Sequence, residues 1–72
     1  MVYNYIMKFK ERIKELRIQK NMSQMDLAVA TGISQSAIAK WELGKTEPTA
    51  TAILTLARFF GETTDYLLGL SD

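Results

Sequence analysis

Apolar residues in the first third of the chain fall at steps of three and four: Ile6, Phe9, Ile13 and Leu16. Side chains at that spacing share one face of an α-helix, so the pattern predicts a helix over roughly 7–20. Glu11 and Glu15 stand among lysines and arginines on its wet face, at (i, i+3) and (i, i+4) pairing distance. Further on, Gly32, Gly44, Gly61 and Gly69 each follow a run that reads as a helix, and glycine readily takes the left-handed conformation that closes one. Asn21, the next most tolerant residue for that conformation, ends the first run. Each later run opens on a hydroxyl: Ser23, Ser34, Thr49 and Thr63, whose oxygens suit an orphan amide of a first turn. The pattern thus predicts five helices with short joints, Pro48 stiffening the one between the third and fourth.

The second and third helices open with nearly the same phrase, "MSQMDLA" and "ISQSAIA". Met22 over Leu27, and Ile33 over Ile38, have the spacing of hydrophobic staples across the two serine caps. Asp26, third after Ser23, adds a box-like cap and faces the positive end of the helix dipole. The repeat is therefore helix-start grammar used twice. Only "VYNYI" at 2–6 alternates weakly, which leaves an arm, a short strand or an extension open, with Met7 an alternative start of the domain. The expected division is an N-terminal extension at 1–6, one domain at 7–70 and a tail at 71–72.

At 72 residues the chain is one domain at most, and 47% apolar against 24% charged residues make it globular rather than disordered. It has no cysteine and no histidine, which removes disulfides, thiolate nucleophiles, the commonest general base and the commonest transition-metal ligands. Catalysis would fall to acids such as Asp26 or Glu42, which no motif pairs around a cleft, so an enzyme is not expected. With no phosphate-binding glycine loop or metal-ligand cluster either, no cofactor and no metal are expected. No apolar run approaches the roughly 20 residues of a membrane span, and the N-terminus lacks the organisation of a signal peptide. Together with the missing cysteines, this makes a cytoplasmic protein without a membrane partner the expectation.

Charge sharpens the picture only partly. The pI near 8.0 and net charge of +1 fall short of the basic footprint usual for a nucleic-acid binder. The distribution is polar, though: residues 1–22 carry +4, residues 23–45 are neutral and residues 46–72 carry −3.

The stretch with a mechanism is Gly32-Ile33-Ser34, a three-residue, glycine-containing joint of the helix-turn-helix kind, in which the second helix is presented outward. On that helix Ile38 and Trp41 are spaced to face the core, which turns Gln35, Ser36, Ala39 and Lys40 away from it. A glutamine amide offers a donor and an acceptor, suiting adenine in the major groove. Serine contacts base or phosphate, alanine packs on a thymine methyl, and lysine reaches guanine acceptors or the backbone. An acid there would be repelled by phosphate, and the helix keeps its one acid, Glu42, at the far end.

Through "RIKELRIQKNMSQMDLA", "TGISQSAIAKWELGKTEP" and "LARFFGETTDYLLG", the chain resembles the lambda-repressor/Cro-like (xenobiotic-response-element-type) helix-turn-helix family over roughly 7–70. The resemblance implies an all-α fold: a compact five-helix lambda-repressor-like domain whose helix-turn-helix is formed by helices 2 and 3. It implies base reading by Gln35, Ser36, Ala39 and Lys40. Phosphate contacts would fall to Ser23, Gln24, Ser34, Lys45, Thr46 and Thr49, with Gln24 alternatively buttressing Gln35. Arg17 and Glu42 match a family ion pair tying the first helix to the recognition helix. Tyr66 and Leu70 lie where relatives often pair, or are simply core and a lone exposed apolar residue.

Four positions stand out against the family pattern. Glu47 replaces a basic phosphate-gripping residue of several relatives, Glu62 and Thr64 replace commonly apolar positions, and Trp41 fills an aliphatic or aromatic slot and reads as core. The function implied is a sequence-specific DNA-binding transcriptional regulator, a repressor, whose partners are double-stranded DNA with a palindromic operator and a second copy of the chain. The alternative is a protein-binding module on the same fold: an antitoxin, a restriction-modification controller or a bridging factor with a protein partner.

Overall fold

The computed structural model describes residues 5–71. Five helices follow in order: α1 Tyr5–Gln19, α2 Gln24–Thr31, α3 Gln35–Glu42, α4 Ala50–Phe60 and α5 Thr64–Leu68, with no strand among the described residues. Of the extension expected at 1–6, residues 1–4 lie outside the described residues, as does Asp72 of the tail. Tyr5 and Ile6 belong to the first turn of α1, so that helix starts two residues ahead of the boundary expected at 7. The shift is physical: a helix end needs only backbone hydrogen bonds, and its first turn need not bury an apolar face.

All four hydroxyl caps form. Ser23 Oγ accepts from Asp26 N at 2.9 Å, Ser34 Oγ from Ala37 N at 3.1 Å, Thr49 Oγ1 from Ala52 N at 3.1 Å and Thr63 Oγ1 from Tyr66 N at 3.0 Å. Asp26 Oδ2 also accepts from Ser23 N at 2.9 Å, completing the reciprocal box. That backbone bond, then the Ser23 hydroxyl, holds the Asp26 carboxyl below its ordinary value. Its contribution to the helix start is therefore present at neutral pH and is lost only as pH falls through the lowered value. Asn21, at φ 57°, ends α1 in the left-handed region, with Met22 N donating to Arg17 O at 3.1 Å.

Helix α1 packs across α3 and α5, α2 against α3 and α4, and α4 against α5. Phe9, Ile13, Leu27, Ile38, Leu56 and Leu67, drawn from all five helices, are the largest fully buried side chains. Trp41 is core, its ring meeting Phe9 edge-on at 5.8 Å and 76°. Met22 and Ile33 pack against this core from just ahead of their helices. Glu62 and Thr64 are half-buried, and the joint they flank is closed by the backbone, Glu62 N donating to Ala57 O at 2.9 Å. Arg12 clamps α1 to α5: its guanidinium carbon lies 4.1 Å above the Tyr66 ring, and Nη1 donates to Tyr66 O and Ser71 O at 3.0 and 3.3 Å.

Helix α5 has five residues, too few to persist without its cap and its packing. Thr63→Ala should lower the free energy of unfolding by about 1 kcal/mol. Urea denaturation checks this; an unchanged midpoint would mean the cap adds nothing to α5.

Candidate nucleic-acid interface

The turn between α2 and α3 depends on one backbone conformation. Gly32 closes α2 at φ 76°, its N–H donating to Ala28 O at 2.9 Å. Open space surrounds the position a Cβ would take, so the constraint there is the positive φ itself. Thr31 secures the same turn, donating Oγ1 to Leu27 O at 2.7 Å and accepting from Ile33 N at 3.3 Å. Ser34 then starts α3 at an angle fixed by Ile33 on one side and Ile38 on the other, both packed into the core.

Helix α3 is divided lengthwise. Ile38, Trp41 and Glu42 face inward, Ala37 and Ala39 are half-buried, and Gln35, Ser36 and Lys40 stand in solvent. Ala39 thus lies on the shoulder of the outward face rather than at its crest. The single acid of α3 is not merely distant from the outward face but buried beneath it, with 7% of Glu42 exposed.

Burial of that carboxylate is balanced by three donors. Arg17 Nε meets Glu42 Oε2 at 2.7 Å, Arg17 Nη2 meets Oε1 at 2.9 Å and Gln24 Nε2 meets Oε1 at 3.1 Å. Arg17 also donates Nη1 to Met22 O at 2.8 Å, tying α1 to the turn before α2. The hydrogen bond to Glu42 pushes the Arg17 guanidinium above its ordinary value, opposed by burial and helped by the carboxylate's charge. The expected Arg17–Glu42 pair is thus present in bidentate form.

Gln24 and Gln35 meet at the mouth of the helix-turn-helix, Gln35 Nε2 donating to Gln24 Oε1 at 3.0 Å. Gln24 is half-buried and takes the buttressing geometry. Ser23 and Ser34 are exposed, with their oxygens engaged by helix amides. Lys45 and Thr46 follow α3 directly and are exposed, as is Thr49 at the start of α4. Gly44, at φ 73°, releases the chain into this loop, and Lys45 N returns to Lys40 O at 3.0 Å. Glu47, in the same loop, accepts from the Tyr5 hydroxyl, and this bond leads the causes that raise the Tyr5 phenol above its ordinary value.

Tyr66 and Leu70 do not share one environment. Tyr66 is half-buried under Arg12, while Leu70 is 62% exposed and lines an open apolar groove of about 300 Å³ with Tyr5, Pro48, Ile53 and Leu68. Three contacts had no signal in the sequence: Gln24 with Glu42, Tyr5 with Glu47 and Arg12 with the end of α5. Each joins residues at least 18 positions apart through side chains common on any helix surface.

Comparison with known proteins agrees with this geometry. The profile of the family described as Helix-turn-helix matches residues 13–67. The HTH-type transcriptional activator BcrR of Enterococcus faecalis is 40% identical over 62 residues, 86% of this chain and 30% of its own length. Two proteins of Bacillus subtilis (strain 168) are similar to a comparable extent. The SPbeta prophage-derived uncharacterized HTH-type transcriptional regulator YonR is 38% identical over 60 residues, 83% of this chain and 56% of its own. The HTH-type transcriptional regulator AnsR is 41% identical over 59 residues, 82% of this chain and 51% of its own. The chain thus spans between about a third and a little over half of these relatives. No solved structure gives a significant match.

Proposed function

The chain belongs to the helix-turn-helix family of DNA-binding transcription regulators, and on that premise we propose that it is a sequence-specific repressor acting in the cytoplasm. Helix α3 enters the major groove, where Gln35, Ser36 and Lys40 meet base edges and Ala39 packs beside them. Ser23, Gln24, Ser34, Lys45, Thr46 and Thr49 border the backbone and fix the register. One observation carries this reading. The outward face of α3 is polar and free of acid, because its only carboxylate is turned inward onto Arg17.

One copy reads few base pairs, so the operator is a palindrome bound by a two-fold dimer, with half-sites about 34 Å apart or a multiple of that. Tyr66 and Leu70 are the proposed dimer contacts, Leu70 with the larger exposed surface. Activation is the second reading, favoured by the similarity to the transcriptional activator BcrR. A reporter carrying the selected site separates the two by the sign of its response.

Selection from random duplex DNA at moderate salt should enrich a palindrome. On that site Gln35→Ala should cost about 1–3 kcal/mol and relax preference at one base pair per half-site. Lys45→Ala should weaken every sequence alike and flatten the salt dependence by about one unit of slope per copy. No enriched sequence, together with a stoichiometric protein partner, would replace this function by that of an interaction module.

A further inference from the structure

The connection from α3 to α4 runs back along α1, from the end of that helix toward its start. Glu42 meets Arg17, a Cβ on Gly44 would lie 3.4 Å from Lys10 Cδ and 3.5 Å from Met7 Sδ, and Glu47 accepts from the Tyr5 hydroxyl. Tyr5 and Pro48 line the same apolar groove, so both the ring and the hydroxyl of Tyr5 engage this connection. Lys45 and Glu47 carry the only charges of residues 43–49, and both are exposed. Two positions apart, their Cα atoms are separated by at most about 7 Å, less than a Debye length at physiological salt. Among the described residues no ion pair joins them, and the carboxylate turns to Tyr5 instead. That bond raises the phenol above its ordinary value, so it stays a donor through the neutral range. Helix α1 lies on the inward side of α3, where Phe9 meets Trp41, so a carboxylate drawn to α1 is drawn away from the outward face.

We propose that Tyr5 is a positioning residue for the DNA backbone contact: by holding the Glu47 carboxylate against α1, it leaves Lys45 free to meet phosphate. The proposal rests on the reading of Lys45 and Thr46 as backbone contacts. A carboxylate released into this connection acts twice against DNA. It repels phosphate directly, and it competes with phosphate for the Lys45 ammonium. The Tyr5 hydroxyl suppresses both effects without using a cation, because it gives the carboxylate a neutral donor on the far side of the connection. Lys45 and Glu47 lie within residues 13–67, which match the family profile, whereas Tyr5 lies ahead of them. The partner that restrains Glu47 therefore comes from outside the matched region.

The test is fluorescence anisotropy on the selected duplex and on an unrelated duplex, each at several salt concentrations. Tyr5→Phe keeps the ring beside Pro48 and removes only the hydroxyl. It should weaken both duplexes alike, by about threefold or more, and flatten the salt dependence in the direction of Lys45→Ala. Base preferences should stay those of the wild type. Glu47→Gln still offers Tyr5 an amide oxygen but carries no charge, and should bind both duplexes at least as tightly as the wild type. Added to Glu47→Gln, Tyr5→Phe should change neither affinity nor slope, because no carboxylate is left to release. Urea midpoints establish that each variant is folded. Wild-type affinity and slope in Tyr5→Phe, beside a flattened slope in Lys45→Ala, overturn the proposal and leave the backbone contact standing. An equal loss on Tyr5→Phe with and without the Glu47 charge also overturns it, since the hydroxyl then orders the connection rather than placing a charge. A wild-type slope in Lys45→Ala removes the backbone reading of this connection and the role of Tyr5 together.

Discussion

Arg17→Met is expected to lower the free energy of unfolding by about 3–5 kcal/mol, read as a shift of the urea midpoint at neutral pH. The variant leaves the Glu42 side chain, 5% exposed, with one amide N–H from Gln24 in place of three donors. It also strips Met22 O of its Arg17 donor. A domain of 72 residues has a total stability of roughly 4–11 kcal/mol, so the loss brings it close to unfolding. The double variant Arg17→Met/Glu42→Leu should recover most of the stability, since no uncompensated charge then remains buried. A double variant no more stable than Arg17→Met would show that the stranded carboxylate is not the cause. The guanidinium is pushed above an already strongly basic value, so its contribution is complete at neutral pH and is lost only as pH rises through the raised value. The effect of Arg17→Met should therefore be the same at pH 7 and pH 9.

Phe9→Ala should cost a comparable amount, about 3–5 kcal/mol, for a different reason. Phe9 is 1% exposed, and its ring fills the space between α1 and the Trp41 edge of α3. Removing it loses the transfer energy of the ring and leaves a cavity that two helices cannot close without moving. Trp41 is the only tryptophan in the chain, so its fluorescence reports directly on this contact. Phe9→Leu, which retains much of the volume, should lose less. DNA affinity of Phe9→Ala should fall with the unfolded fraction while its salt slope stays that of the wild type. A changed slope would mean that α1 itself takes part in backbone contacts.

Much of the fold was legible in the chain because its signals are short-range. Ser23, Ser34, Thr49 and Thr63 each cap through an amide three residues on, and Gly32, Gly44, Gly61 and Gly69 each take the positive φ their positions suggested. Periodicity likewise marked Phe9, Ile13 and Leu16 as buried, and Ile38 and Trp41 as the inner face of α3. The start of α1 lies two residues ahead of the expected one, because the weak alternation of "VYNYI" set Tyr5 and Ile6 apart although Ile6 already shares the apolar stripe. The division of α3 into faces was clear for Gln35, Ser36 and Lys40 but less so for Ala39, whose half-burial depends on its neighbours.

By itself the sequence determined five helices, their caps, the inner faces that must meet, and an acid-free outer face on α3. Each of these follows from backbone preferences and spacings that act within about one turn of a helix. The pairing of Glu42 with Arg17, 25 residues earlier, was expected only through the family resemblance, and tertiary structure alone decided that Glu42 takes Gln24 with it. It also decided which side of the Gln35 amide is left for a ligand. An amide has no polarity of its own choosing. Its orientation is set by whichever group the fold brings within about 3 Å, and here that group is a buried carboxylate that can only accept.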